Sequence, residues 1–218
     1  MIVTLCLFLT ITIVQTVNGQ QLPFYNEIQQ FKKDDSTSVP PNDAILFVGS
    51  STFRKWTDIQ AAFRDYKIIN HGFGGSTLPD VIRYAYDIIV PYKPKQVVIY
   101  CGDNDLASAD SISTLTVANR FKALFFTIRA ELPNINITYV SKKPSPSREK
   151  LLFKMKQINK IVKRFLEQKT NTAFVDVFTP MLLPNGKIMP DIFLEDKLHM
   201  NAKGYAIWQK AIKPYLLK

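Results

Sequence analysis

Ile45-Leu46-Phe47-Val48-Gly49-Ser50-Ser51-Thr52-Phe53-Arg54-Lys55-Trp56 is the stretch from which the rest of the chain can be read. Four apolar residues closed by a glycine predict a short buried strand. The glycine permits a sharp turn, and a hydroxyl residue just beyond it can cap the helix that follows. In an open α/β sheet, this junction outside the carboxyl end of a strand is where ligands and reacting groups collect. Taken alone, Ser51 reads as a helix cap. Three later segments change that reading.

Working outward, Pro23 to Lys33 predicts a short helix, and Lys33 to Asn42 a polar connector bearing Pro40 and Pro41. After Ser51, one helix runs through Trp56 and another through Phe63. Tyr66 to Asn70 is the second strand, ending in the glycine-rich turn His71-Gly72-Phe73-Gly74-Gly75. Leu78 to Ile89 is helical and stopped by Pro91. Gln96 to Cys101 is apolar almost throughout and reads as a strand buried on both faces. Ser111 to Leu132 predicts a long amphipathic helix, Ile135 to Val140 a fourth strand, and Lys142 to Ser147 a loop. A basic helix follows, then a fifth strand over Ala173 to Phe178. The last helix starts near Ala202 and ends towards Pro214. Strands alternating with helices imply a parallel sheet covered on both sides. The expected architecture is a single-domain, flavodoxin-like three-layer α/β/α sandwich, with five parallel strands in the order 2-1-3-4-5.

With 218 residues and 46% hydrophobic content, the chain has enough material for one ample core. Residues 1–19 carry no charged side chain, are rich in Leu, Ile and Val, and end Val17-Asn18-Gly19. They read as a secretory signal removed before Gln20, leaving a domain over 20–218 and a secreted or periplasmic destination. Cleavage removes Cys6 and leaves Cys101 alone, so no internal disulfide is expected. Cys101 sits in an apolar run and reads as a buried small hydrophobe. The net charge of +10 favours acidic surfaces or anionic lipid. The lysines of residues 150–164 nevertheless interleave with apolar residues at helical spacing, which describes a solvated helix face. No nucleic-acid partner is expected, and membrane association is not indicated. Two histidines and one remaining cysteine cannot build a typical zinc site, so no metal and no cofactor are expected. A Gly-x-x-x-x-Gly-Lys-Ser/Thr loop and a Gly-x-Ser-x-Gly elbow are both absent.

Four segments carry the chemistry: Gly49-Ser50-Ser51, Asn70-His-Gly-Phe-Gly-Gly75, Gly102-Asp103-Asn104-Asp105 and Asp196-Lys-Leu-His199. The first three follow successive strands and so gather at one sheet edge. The last precedes the final helix and returns to that edge. In this order, and with His199-Met-Asn-Ala-Lys-Gly-Tyr205 extending the last, they resemble the blocks of the SGNH (GDSL-like) hydrolases from Ile45 to about Trp208. The resemblance implies Ser51 as nucleophile, with Ser50 where the family often has Asp. It implies His199 as base, Asp196 as its orienting partner, and an oxyanion hole from Ser51, Gly75 and Asn104. The physics of the roles is consistent. A serine needs an imidazole to take its proton, the imidazole needs a carboxylate, and the tetrahedral oxyanion needs fixed donors.

Each residue also has a plainer reading: Ser51 as a cap, Gly75 as turn geometry, Asn104 and Asp196 as turn formers. His71 reads as structural or substrate-lining, Asp103 as near the pocket, Asp105 as fixing the loop backbone, and Trp56 as helix packing. Lys143, Ser145 and Arg148 read as a solvated loop at the same edge, with contact to an anionic or sugar substrate as the alternative. The expected activity is cleavage of a small-molecule carboxylic ester, with short acyl esters of carbohydrate preferred. A lysophospholipase or thioesterase of the same fold, or a non-catalytic binding module, are the alternatives.

Overall fold

The computed structural model describes residues 21–218, and the leader expected over 1–19 lies outside the described residues. Five strands, β1 (Ile45–Gly49), β2 (Ile68–Gly72), β3 (Gln96–Tyr100), β4 (Asn136–Val140) and β5 (Thr172–Val175), pair in parallel in the order β2-β1-β3-β4-β5. That is the expected sandwich and strand order.

The pleat divides the core in two. Alternate residues of a strand face opposite ways, so Leu46 and Val48 of β1 join Ile69, Val97, Ile99, Ile137 and Tyr139 on one face. There they meet α1 (Tyr25–Thr37), α4 (Leu78–Arg83), α5 (Ala85–Ile88), α7 (Thr114–Glu131) and α8 (Leu152–Leu166). Ile45 and Phe47 join Val98, Tyr100, Val140 and Val175 on the other. That face is covered by α2 (Ser51–Arg54), α3 (Ile59–Ala62) and α9 (Ala202–Ile212), with Phe53, Trp56, Phe63 and Trp208 packed edge-to-face or tilted at 5.4–6.5 Å. Trp56 is thus a packing residue. Each such large side chain, fully buried, contributes about 1.5–3 kcal/mol.

The elements differ from the sequence reading where side chains redirect the backbone. The first helix runs on to Thr37. β2 lies two residues later than expected, because Gly72 pairs with Gly49 and the Phe73 N–H donates to the Gly49 carbonyl. The helix expected over Leu78–Ile89 breaks at Tyr84, whose hydroxyl donates to the Pro23 carbonyl. Ser113 caps α7, and a short helix α6 (Asp103–Ser108) precedes it. β5 stops at Val175 because the Asp176 carboxylate takes the N–H groups of Phe178 and Thr179 and turns the chain out of the sheet.

Candidate active site

The turn after β1 is built by close packing. Gly49 has φ +142°, and a Cβ there would lie 1.9 Å from the Tyr100 carbonyl oxygen. Only glycine lets β1 leave the sheet so tightly against β3. Ser50 donates its N–H to that same carbonyl, and its own carbonyl accepts from Phe53. Ser50, not Ser51, holds the N-cap position, and its side chain makes no capping bond. Ser51 opens the helical turn of α2 and is half-buried.

The second segment is fastened to the first. Gly49 O also accepts from the Ser76 hydroxyl at 3.1 Å. Asn70 donates to the Phe53 carbonyl at 2.8 Å and accepts from the Gly72 N–H, bracing α2 from beneath. Gly75 is exposed, and its N–H has no partner among the described residues. The third segment begins at Gly102 (φ +113°) and carries Asn104 in the first turn of α6. The Asn104 amide donates to the Ser76 carbonyl at 3.0 Å, and a Cβ on Gly75 would lie 3.7 Å from Nδ2. Gly75 and Asn104 are therefore neighbours. Asp105 accepts from the Leu78 N–H and from Arg120, tying α6 to α4 and α7.

The fourth segment arrives on a short pinned loop. Phe193 and Met200 bridge antiparallel, Leu194 donates to the His199 carbonyl, and Asn201 caps α9. The Asp196 carboxylate accepts from the N–H groups of Leu198 (2.9 Å) and His199 (2.8 Å) through Oδ1. Its Oδ2 lies 2.5 Å from His199 Nδ1, and His199 Nε2 lies 2.9 Å from Ser51 Oγ. The Tyr205 hydroxyl donates to the Thr52 carbonyl and locks α9 onto α2.

Electrostatics suit a neutral base beside an ionised carboxylate. Burial lowers the His199 pKa, the Asp196 contact opposes this, and Lys55 and Lys143 lower it further. Burial alone would raise Asp196. The hydrogen bonds from the His199 ring and from two backbone N–H groups outweigh it and hold the carboxyl well below the usual range. Burial pushes the Cys101 thiol up, away from nucleophilic behaviour.

Of two candidate lining residues, His71 takes the structural of its two readings and Asp103 is corrected. His71 is 3% exposed, its Nδ1–H donates to the Ile88 carbonyl, and its ring stacks on Phe31 with Tyr92 at its edge. The pleat is the reason: His71 is level with Val48 and shares its face, whereas Asn70 faces α2. His71 is a core histidine. Asp103 is 4% exposed and accepts from the Tyr100 hydroxyl, with Lys142 Nζ at 3.8 Å and Lys143 Nζ at 4.0 Å. It supports the site from beneath rather than lining it.

The loop after β4 is also corrected. Lys142, Lys143 and Ser145 are buried rather than solvated. Lys143 reaches towards Thr52 and Tyr100, both at 3.4 Å. Burial, opposed by Asp103 and assisted by Arg148, lowers its pKa to about 8. Arg148 is half-buried and donates to the Asn104 side-chain oxygen at 2.6 Å. The sequence reading gave Asn70 and Lys142 no role of their own and placed Lys143 in a solvated loop. The only available signal was two lysines set between an apolar strand and Pro144.

The model of the GDSL-like lipase/acylhydrolase family matches residues 35–207. The chain belongs to that family. Membership places it among the hydrolases. Similar solved structures include a GDSL-like lipase from Bacteroides thetaiotaomicron, with TM-score 0.71, 18% identity, 86% of this chain and 96% of that one covered. A mutant acetyl-xylooligosaccharide esterase from Geobacillus aligns with TM-score 0.65 and 17% identity over 83% of this chain and 97% of that one. An acetyl esterase mutant holding an acetate ion aligns with TM-score 0.62 and 14% identity, over 79% and 95%. At these identities the likeness is one of fold. No curated protein matches the chain in sequence.

Proposed function

We propose that this GDSL-family protein is a serine esterase acting through an acyl-enzyme. The observation that carries the reading is the unbroken relay from Asp196 Oδ2 through the His199 ring to Ser51 Oγ, at 2.5 and 2.9 Å. His199 Nε2 takes the Ser51 proton as Oγ bonds to the ester carbonyl carbon, and Asp196 stabilises the imidazolium. The carbonyl π pair moves to oxygen. There it meets the N–H of Ser51, which has no intrahelical acceptor at the start of a turn, together with Gly75 N–H and Asn104 Nδ2. As the tetrahedral species collapses, the C–O bond to the alcohol breaks and His199 gives the proton to the departing oxygen. Water then attacks the acyl-Ser51 ester, losing its proton to His199, and the acid is released with Ser51 restored.

The substrates we favour are short acyl esters, acetyl above all, on carbohydrate. The acetyl esterase folds among the structural neighbours and the polar surroundings of Ser51 support this. The test is turnover of p-nitrophenyl acetate by wild type and Ser51→Ala. Loss of turnover on substitution supports the reading, and equal rates end it. Mass identification of acids released from acetylated oligosaccharides, set against lysophospholipids, tests the substrate class.

A further inference from the structure

A side-chain amide that serves as an oxyanion donor has a weakness. Its oxygen and nitrogen ends are nearly the same size, and a half-turn about the last bond exchanges them. The wrong orientation aims an acceptor at the developing negative charge. Asn104 therefore needs something that tolerates only one orientation.

Two contacts meet that need. The Ser76 carbonyl, an acceptor only, takes one N–H of Asn104 at 3.0 Å. The Arg148 guanidinium, a donor only, holds Oδ1 at 2.6 Å. Together they leave the second N–H free beside Gly75, where a Cβ would lie 3.7 Å from Nδ2. A charged donor on the amide oxygen also strengthens the N–H as a donor. Arg148 forms no ion pair with a carboxylate among the described residues. The guanidinium thus directs its contact to a neutral amide oxygen.

The loop that carries Arg148 is itself held. Its backbone departs from helical geometry at Arg148 (φ −121°, ψ 25°), and the Arg148 N–H donates to the Ser145 carbonyl. The Ser147 N–H donates to the Lys197 carbonyl, inside the Asp196–His199 loop. One short segment thus braces the base loop through its backbone and the oxyanion side through its guanidinium.

We propose that Arg148 is a positioning residue for the oxyanion hole, locking the Asn104 amide in the orientation that presents N–H to the reacting carbonyl. The inference rests on the reading of Asn104 as an oxyanion donor. The experiment is a double-mutant cycle on p-nitrophenyl acetate, a neutral substrate, with Arg148→Ala, Asn104→Ala and the pair, and with melting measured for each. Arg148→Ala is expected to lower kcat about 10- to 30-fold, less than the 10²–10³ of losing the donor itself, with KM within about twofold. In the Asn104→Ala background the same change should cost less than about twofold. Added guanidinium should restore part of the rate of Arg148→Ala and none of that of the pair. Arg148→Lys keeps the charge and carries the test if the alanine variant does not fold. Equal losses in both backgrounds, or a raised KM with intact kcat, would overturn the proposal. An impaired Asn104→Ala beside an unimpaired Arg148→Ala overturns it alone. An unimpaired Asn104→Ala overturns the oxyanion reading as well.

Discussion

Gly72→Ala tests how tightly the position of Ser51, the proposed nucleophile, depends on backbone packing. A Cβ at Gly72 would lie 2.3 Å from the Arg54 N and 2.7 Å from Phe53 Cβ, where ordinary contact begins near 3.4 Å. The shortfall against the Arg54 nitrogen is 3.4 − 2.3, about 1.1 Å, and the obstruction is backbone, which cannot swing aside. β2 is hydrogen-bonded to β1 along its length, so the four-residue α2 is the part that moves. Ser51 heads that turn, and its 2.9 Å contact with His199 Nε2 has no slack of that size. A misplacement of about 1 Å at a reacting group costs on the order of 10² in rate, and overpacking costs about 1–3 kcal/mol of stability. The expected enzyme is folded, melts lower, and turns over p-nitrophenyl acetate about a hundredfold more slowly through kcat. Circular dichroism establishes the fold and steady-state kinetics the rate. A Gly72→Ala enzyme within about threefold of wild type would refute the claim that this approach sets the position of Ser51.

Asn104→Ala should lose on the order of 10²–10³ in kcat with KM little changed, measured on the same ester. In the proposed mechanism the pH dependence follows from His199, which must be neutral to accept the Ser51 proton. Burial, opposed by Asp196, holds its pKa below the ordinary 6.5, so kcat/KM should fall only as pH drops below that value. Lys143→Met removes a cation that disfavours the imidazolium and should move this acidic limb to higher pH; a limb that stays put or moves down contradicts it. His71 is buried with a lowered pKa, so the unfolded chain binds a proton that the native one refuses, and stability is lost as pH falls below 6.5. Urea titrations of His71→Gln should therefore show less acid-linked loss than wild type between about pH 7 and pH 5. Trp208→Ala, at a fully buried site, should cost about 3–5 kcal/mol in the same titrations.

Strand identities followed from local composition, because short apolar runs between turn signals have few other uses, whereas their order came from the doubly wound architecture that alternating strands and helices imply. Element ends were harder to read. β5 stops where the Asp176 side chain captures two N–H groups, and the long helix expected from Leu78 breaks at Tyr84, whose hydroxyl is held by Pro23. Both partners are polar and specific, and neither leaves a periodic trace. The catalytic candidates came from the resemblance of four segments, in order, to the SGNH blocks, since Ser51, Asn104 and Asp196 each also fit a local cap or turn. Of the local signals, Gly49 answers a backbone requirement and the Asp196–His199 spacing a reach requirement.

Sequence alone determined that the chain would build a parallel sheet with its reactive groups at one edge, for chain direction and the alternation of strand and helix impose that arrangement. Only the tertiary structure decided which neighbours work at that edge. His71 and Asn70 are adjacent in sequence, yet the pleat sends one into the core and the other beneath the turn that carries Ser51. Lys143 and Arg148 look like solvated loop residues until α2, α6 and the His199 loop close over them. Their roles arise from contacts between segments 44 and 91 residues apart, which no local pattern encodes.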